Sequence, residues 1–352
     1  MQRFTHEALP GRVVFGRGRS AELPDEVRRL GLARVLVLST PGQAALAQGI
    51  ATALGTLAAG VHPHAVMHVP EAVADAAVQE ATRLQADGIV AIGGGSTIGL
   101  GKAIALKTGL PQLALPTTYA GSEMTPIWGM TRAGVKTTGR DHKVLPRTVI
   151  YDVDLSAALP PRICAVSGMN AIAHCVEGLY AAEASPLVAL MAEEGIRALA
   201  LGLPGIVDNP HDLTARELAL HGAWLAGCVL GLAGMALHHK LCHTLGGSFE
   251  LPHAEVHSVM IAQVTDFNAA AAPEAMTRIA RALGTDNAAA GLYALALRLG
   301  IPLSLRELGM READLHRAAD LATRNPYYNP RPVTRANVLA LLEAAYEGRP
   351  PA

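Results

Sequence analysis

Up to about residue 155, short β-branched runs alternate with Ala- and Leu-rich stretches; beyond it, alternation of period two all but vanishes. That change of texture limits the fold more than any other feature. Arg34-Val35-Leu36-Val37-Leu38-Ser39 reads as a buried strand, and Ala44 to Ala58 as a helix. Ala65 to Val69 reads as a second strand, about Ala72 to Ala86 as a helix, and Gly88 to Ile92 as a third strand. Gln112 to Leu115 and Val149-Ile150-Tyr151 complete the set. Near-continuous apolar strands between helices predict an α/β domain: a parallel sheet with helices on both faces. After the breaker cluster Leu159-Pro160-Pro161-Arg162, long Ala/Leu segments dominate: 165–182, 186–203, 214–228, 257–271 and 273–283. The expected organisation is an α/β domain over 1–155 and an all-α C-terminal domain over 156–352. A ligand site is expected in the cleft between them.

Composition narrows the partners. Lys plus Arg is 29 and Asp plus Glu is 30, a formal net charge of −1. So even a balance gives no field for nucleic acid or an anionic membrane. There is no run of eighteen apolar residues, and Met1-Gln2-Arg3-Phe4-Thr5-His6-Glu7 lacks the apolar stretch of a leader. The cysteines 164, 175, 228 and 242 form no CxxC pair and read as reduced thiols. A soluble, cytoplasmic protein is expected.

Three consecutive glycines stand where the third strand meets a helix, in Gly93-Gly94-Gly95-Ser96-Thr97-Ile98-Gly99-Leu100-Gly101-Lys102. Glycines let the backbone approach an anion, and a helix N-terminus offers free N–H groups and a positive dipole end. A pyrophosphate suits such a place; a plain tight turn is the alternative. The string is neither GxGxxG nor a P-loop. Leu115-Pro116-Thr117-Thr118-Tyr119-Ala120-Gly121-Ser122-Glu123 sets hydroxyls just past another strand end, suited to a phosphate or an amide. A basic loop follows, with Lys136, Arg140, His142, Lys143 and Arg147. It is either solvated surface or a partner for an anionic substrate.

Five of the fourteen histidines fall between 238 and 257: His238, His239, His243, His253 and His257. His239 and His243 stand four apart, on one face of a helix that Gly246-Gly247 is expected to break. Pro252-His253 then returns the chain to the same place, and Asn170 and His174 stand four apart on another helix. Asn170, His174, His239 and His253 are therefore expected to converge. Asp at 170 would complete a carboxylate-plus-imidazole metal site, whereas Asn removes the charge and the best oxygen donor.

These pieces together resemble the iron-containing (group III) alcohol dehydrogenases, related to glycerol dehydrogenase and dehydroquinate synthase, over essentially the whole chain. The resemblance runs from Val13-Val14-Phe15-Gly16-Arg17-Gly18 to Asn325-Pro326-Tyr327-Tyr328-Asn329-Pro330. Members carry a GGGS turn, a PTT…GSE segment, Asp-x3-His, His-x3-His and a later His after Pro. Only the Asp is missing here. Five strings (93–102, 119–125, 136–141, 167–174 and 253–257) resemble one branch of that family, the maleylacetate reductases. That branch implies reduction of the carbon–carbon double bond of maleylacetate, a small dicarboxylate, to 3-oxoadipate.

The resemblance assigns roles. Gly93, Gly94, Gly95 and Ser96 would hold the pyrophosphate of NADH or NADPH, with Thr117, Thr118 and Ser122 near the nicotinamide. Ser39 and Thr40 end the strand where an acidic residue often meets the adenosine ribose, so either nucleotide is expected. His243 is the first candidate for proton donor and His253 the second, with His174 and His239 lining the same pocket. Lys136, Arg140, Lys143, Lys240, Arg331 and Tyr119 are the substrate-binding candidates. Asn170 implies that no divalent metal is required, and a homodimer is the family expectation. The rival readings are a metal-dependent alcohol or polyol dehydrogenase, a dehydroquinate-synthase-like cyclase, and a non-catalytic nucleotide-binding protein.

Overall fold

The computed structural model describes every residue except 1–3, 5, 10, 326 and 352. Parts of the leader reading (1–3 and 5) and of the 325–330 string (326) thus lie outside the described residues. The chain forms two compact units, the first spanning Ala8–Leu159 and the second joining the N-terminal residues up to Glu7 to the segment from Pro160 onward.

Among its described residues the first unit has eight strands: β1 (Arg12–Gly16), β2 (Val35–Leu38), β3 (Ala58–His62), β4 (Gly88–Gly93), β5 (Gln112–Pro116), β6 (Ile127–Arg132), β7 (Val135–Arg140) and β8 (Thr148–Asp152). Six form one sheet in the order β1-β8-β5-β4-β2-β3, every pair parallel. Every residue of β2, β4, β5 and β8 is buried, as expected of strands covered on both faces. Val37 pairs with Val90, and Ile92 with Leu115. This register brings the carboxyl ends of β4 and β5 side by side, which sets the glycine turn beside the hydroxyl-rich segment.

Three local expectations are corrected. The helix beginning at Ala44 stops at Leu54, because Gly55 turns with φ 58°. Ala58–His62 is then the edge strand, and its Ala-Ala-Gly-Val-His pattern looks like a helix tail. Ala65 to Val69 is not a strand: His68 and Val69 have φ of 65° and 45°. It is a turn in which Ala65 and Val69 pack in the core beside Leu36 and Leu38 while Val66 and Met67 are exposed. The expected basic loop is largely an antiparallel hairpin of β6 and β7, in which Lys136 faces Thr131 and Arg140 faces Ile127.

The second unit has helices Pro161–Leu179, Pro186–Asp208, Leu213–Leu232, Leu237–Phe249, His253–Asn268, Pro273–Leu283, Ala288–Arg298, Leu315–Ala322 and Arg335–Glu347, and no strand among the described residues. Small residues let the first three pack tightly. A Cβ on Gly202 would stand 2.7 Å from Ala219 N, and one on Gly222 2.7 Å from Leu199 Cγ. The helix from Leu237 runs through Gly246-Gly247 instead of breaking, and ends at Glu250 with φ 57°. A helical glycine costs about 1 kcal/mol, and burial of Leu241 and Leu245 in the core offsets it. Among the described residues no single helix is long and apolar enough to cross a membrane.

Candidate active site

In the first unit the candidate site is made of backbone. Gly93 has φ 149°, a conformation L side chains rarely adopt, and a Cβ there would meet Thr97 Oγ1 at 2.5 Å. A Cβ on Gly94 would meet Thr118 Oγ1 at 2.9 Å. Gly94 caps the helix Gly95–Thr108 without a side-chain hydrogen bond, so the first N–H groups are left for another acceptor. Gly95 is exposed and Ser96 half-buried, which leaves the turn open to an anion. This bare, tight cradle fits the pyrophosphate of a dinucleotide.

The hydroxyl-rich segment is held from behind. Lys102 is fully buried, and its Nζ donates to Ser122 O at 2.6 Å, Ile127 O at 2.7 Å and Thr125 O at 2.8 Å, with Thr125 Oγ1 at 2.9 Å. Burial draws its pKa down to about 7, against the pull of Glu123. Three carbonyl acceptors nevertheless call for all three protons of an ammonium. Burial pushes the Glu123 carboxyl up, and the Tyr151 hydroxyl donates to it at 2.8 Å. Thr117 is buried and accepts from Gln43 Nε2 at 3.0 Å, while Thr118 and Ser122 are half-buried. Ser39 is buried, with Oγ donating to Thr40 O at 3.0 Å, and Thr40 is half-buried. Tyr119 is fully buried, whereas Lys136, Arg140 and Lys143 are exposed.

In the second unit the site is made of side chains around one carboxylate. Glu177 is fully buried and accepts from the backbone N–H of Ala236 at 3.0 Å and of His238 at 2.7 Å. It therefore caps the helix Leu237–Phe249, which has no side-chain cap of its own. The same carboxylate accepts from His239 Nδ1 at 2.6 Å. Burial pushes Glu177 up, but the His239 hydrogen bond, the neighbouring imidazoles and the Ala236 N–H outweigh it. Its pKa is lowered, so the carboxylate is an acceptor only, and the His239 proton sits on Nδ1.

The imidazoles pack ring to ring. His174 stacks on His239 at 5.0 Å between centroids; His257 lies 4.9 Å from His239 and 4.6 Å from His253; His253 stacks on His243 at 5.7 Å. His238 Nε2 and His257 Nδ1 share a hydrogen bond of 3.0 Å. His174, His238, His239 and His257 are buried, whereas His243 and His253 are exposed. Burial, reinforced by the neighbouring imidazoles, holds His174 and His257 well below the ordinary histidine range and His238 at about 3. These three are neutral at pH 7. Asn170 Oδ1, His174 Nδ1, His239 Nε2 and His257 Nε2 are buried without a partner, as expected of a site that awaits a polar ligand.

Among the described residues, the group of three possible metal donors drawn within 4.8 Å of one another is His238, His239 and His257. It shares only His239 with the expected set of Asn170, His174, His239 and His253. That expected set has no anionic donor and an amide where the family pattern has a carboxylate, so it does not fit the family's ion.

Sequence reading singled out neither Glu177 nor the His238–His257 pair. Glu177 stands three residues after His174 on the same helix, and that spacing was the available signal. Of the other substrate candidates, Arg331 lies 4.3 Å over the Phe267 ring and donates to its carbonyl at 2.9 Å. Lys240 is half-buried, 5.6 Å from the centroid of the Tyr327 ring.

Comparison with known proteins agrees with both units. Residues 10–153 match the iron-containing alcohol dehydrogenase family, and residues 164–346 match the family's C-terminal part. A maleylacetate reductase of Burkholderia cepacia is 57% identical over 348 residues, 99% of each chain. One of Sphingobium indicum is 54% identical over 349 residues, also 99% of each. The crystal structure of maleylacetate reductase from Rhizobium sp. strain MTP-10005 superposes with a TM-score of 0.98 at 52% identity, covering 100% of both chains. The protein, an oxidoreductase in sequence and in fold, belongs to the iron-containing alcohol dehydrogenase family.

Proposed function

We propose that this chain reduces maleylacetate to 3-oxoadipate with NADH or NADPH, in the breakdown of chlorinated or hydroxylated aromatics. The observation that carries this reading is the imidazole cluster with an amide, Asn170, in the place of the family's acid. The shared name of the curated relatives supports the same substrate.

The nicotinamide, when bound, supplies a hydride to the alkene carbon β to the ketone. Charge then builds on the ketone oxygen as an enolate, and the carbon α to the ketone takes a proton. His243 is assigned that proton: it is exposed, and it rides on the helix whose N-terminus Glu177 holds. His253, stacked against it, is the second candidate. His174 and His239 form the buried wall, each with one unpartnered ring nitrogen. Lys136, Arg140, Lys143 and Lys240 are the cations assigned to two carboxylates, whereas Arg331 is engaged with Phe267. Gly93 to Ser96 hold the pyrophosphate, and Thr117, Thr118 and Ser122 stand toward the nicotinamide. Ser39 and Thr40 offer no carboxylate to repel a 2′-phosphate, which favours use of both nucleotides. In this reading no divalent metal is required, and the enzyme works in the cytoplasm as a homodimer.

A metal-dependent dehydrogenase is the second reading, favoured by the compact trio of His238, His239 and His257. The deciding experiment follows NADH oxidation with freshly generated maleylacetate on protein analysed for metal before and after chelation. Full turnover by metal-free protein is expected. Activity that returns only with added iron or zinc would establish the second reading, and no turnover in either state would mean another substrate.

A further inference from the structure

Lys240 and Tyr327 leave two complementary polar groups unused next to the histidines. Tyr327 Oη is buried and has no hydrogen-bond partner. Burial and the nearby charge of Glu177 push its pKa up to about 12, so it keeps its proton and can only gain by donating it to an acceptor. The Lys240 ammonium lies 5.6 Å from the centroid of the same ring, half-buried, with no carboxylate in ion-pair reach among the described residues. Other cations of this unit are spent differently: Arg278 and Arg281 grip Glu193, Arg298 grips Asp208, and Arg331 donates to the Phe267 carbonyl. Lys240 and His243 stand three apart on the helix Leu237–Phe249 and so share a face, with Cβ atoms about 5–6 Å apart.

We propose that Lys240 and Tyr327 form a carboxylate subsite, the ammonium supplying charge and the hydroxyl one directed hydrogen bond. The proposal rests on the reductase reading and says which residues of the helical unit grip one end of the substrate. A single point charge with a single donor suits one carboxylate; a pyrophosphate calls for more charge and more donors. The spacing also suits the chemistry. Each carboxylate of maleylacetate lies within a few bonds of the carbon that takes the proton, and Lys240 lies one helical turn from the residue assigned to deliver it.

The test pairs variants with truncated substrates. Lys240→Met and Tyr327→Phe are assayed on maleylacetate, on 4-oxopent-2-enoate (which lacks the acetate carboxylate) and on 3-oxohex-4-enoate (which lacks the alkene carboxylate). On maleylacetate, Lys240→Met is expected to raise KM about 10–100-fold and Tyr327→Phe about 3–10-fold. The Kd for NADH should not move in either variant, and Lys240→Arg should restore part of the loss. The penalty should vanish on the one truncated substrate that lacks the gripped carboxylate. An equal penalty on all three substrates, a weakened Kd for NADH, or an unchanged KM would overturn the subsite. Calorimetric binding of 3-oxoadipate, compared between wild type and Lys240→Gln, reads the subsite without turnover. Loss of binding in the variant supports it, and equal binding or none by wild type overturns it. The reductase reading fails separately, if wild type binds NADH but never oxidises it with maleylacetate.

Discussion

The glycine turn of the first unit and the imidazole cluster of the second are built from opposite materials. At Gly93 and Gly94 the working groups are backbone N–H donors, and the side chains matter by their absence. At Glu177 and its histidines the working groups are ring nitrogens, aimed by one buried carboxylate that also caps their helix. The first site is therefore spoiled by adding an atom and the second by removing one. Each kind of damage should appear in its own measurement.

His243→Asn should have the largest effect. Removing a general acid lowers kcat about 10²–10⁴-fold, while the Kd for NADH, read by fluorescence titration, stays where it was. A matching loss of NADH affinity would erase the separation between the two sites. Glu177→Ala comes next. It strips a buried carboxylate from Ala236 N–H, His238 N–H and His239 Nδ1, and a urea melt should show a loss of about 3–5 kcal/mol. Glu177→Gln keeps an acceptor oxygen and should lose less stability.

Gly94→Ala is the counterpart in the first unit. Its methyl would stand 2.9 Å from Thr118 Oγ1, and forcing it in costs about 1–3 kcal/mol. The loss should be read as a weaker Kd for NADH, about 10–100-fold, with the enolate chemistry intact at saturating nucleotide.

The last effect is one of pH. His174, His238 and His257 have pKa values depressed by burial, His238 to about 3, against about 6.5 in the unfolded chain. Below pH 6.5 the unfolded chain binds protons that the folded chain refuses, so stability falls as the pH drops from about 6.5 toward those depressed values. Each histidine adds a slope of about 1.4 kcal/mol per pH unit. Replacing His257 by Gln should flatten the slope by one such step in urea melts between pH 6 and pH 4, and an unchanged slope would place that ring in water.

The two sites were also unequally legible. Three glycines at a strand–helix junction announce themselves, because no side-chain placement is needed to see what they permit. Strands β2, β4, β5 and β8 were legible as apolar runs buried on both faces; the edge strand Ala58–His62 was not, because its small residues carry no such pattern. The histidine spacing showed that a cluster forms, but not which rings meet. Spacing set His253 beside His239, whereas His257 is the ring that lies 4.9 Å from it, since the helix runs on through Gly246-Gly247 and the chain reversal at Glu250 sets the approach. Glu177 was hidden for a different reason. Its partners are mostly backbone N–H groups, and a side chain that serves backbone leaves no matching residue in the sequence to pair it with.

Lys102 gives the first unit something besides cohesion. Its ammonium gathers oxygens from Ser122, Thr125 and Ile127, so the loop proposed to meet the nicotinamide already has its shape before any nucleotide arrives. The conformational entropy of that loop is surrendered once, during folding, and not at every catalytic cycle. A reductase that must release its oxidised nucleotide and take up a fresh one at each turnover can then exchange them without refolding the surface that receives them.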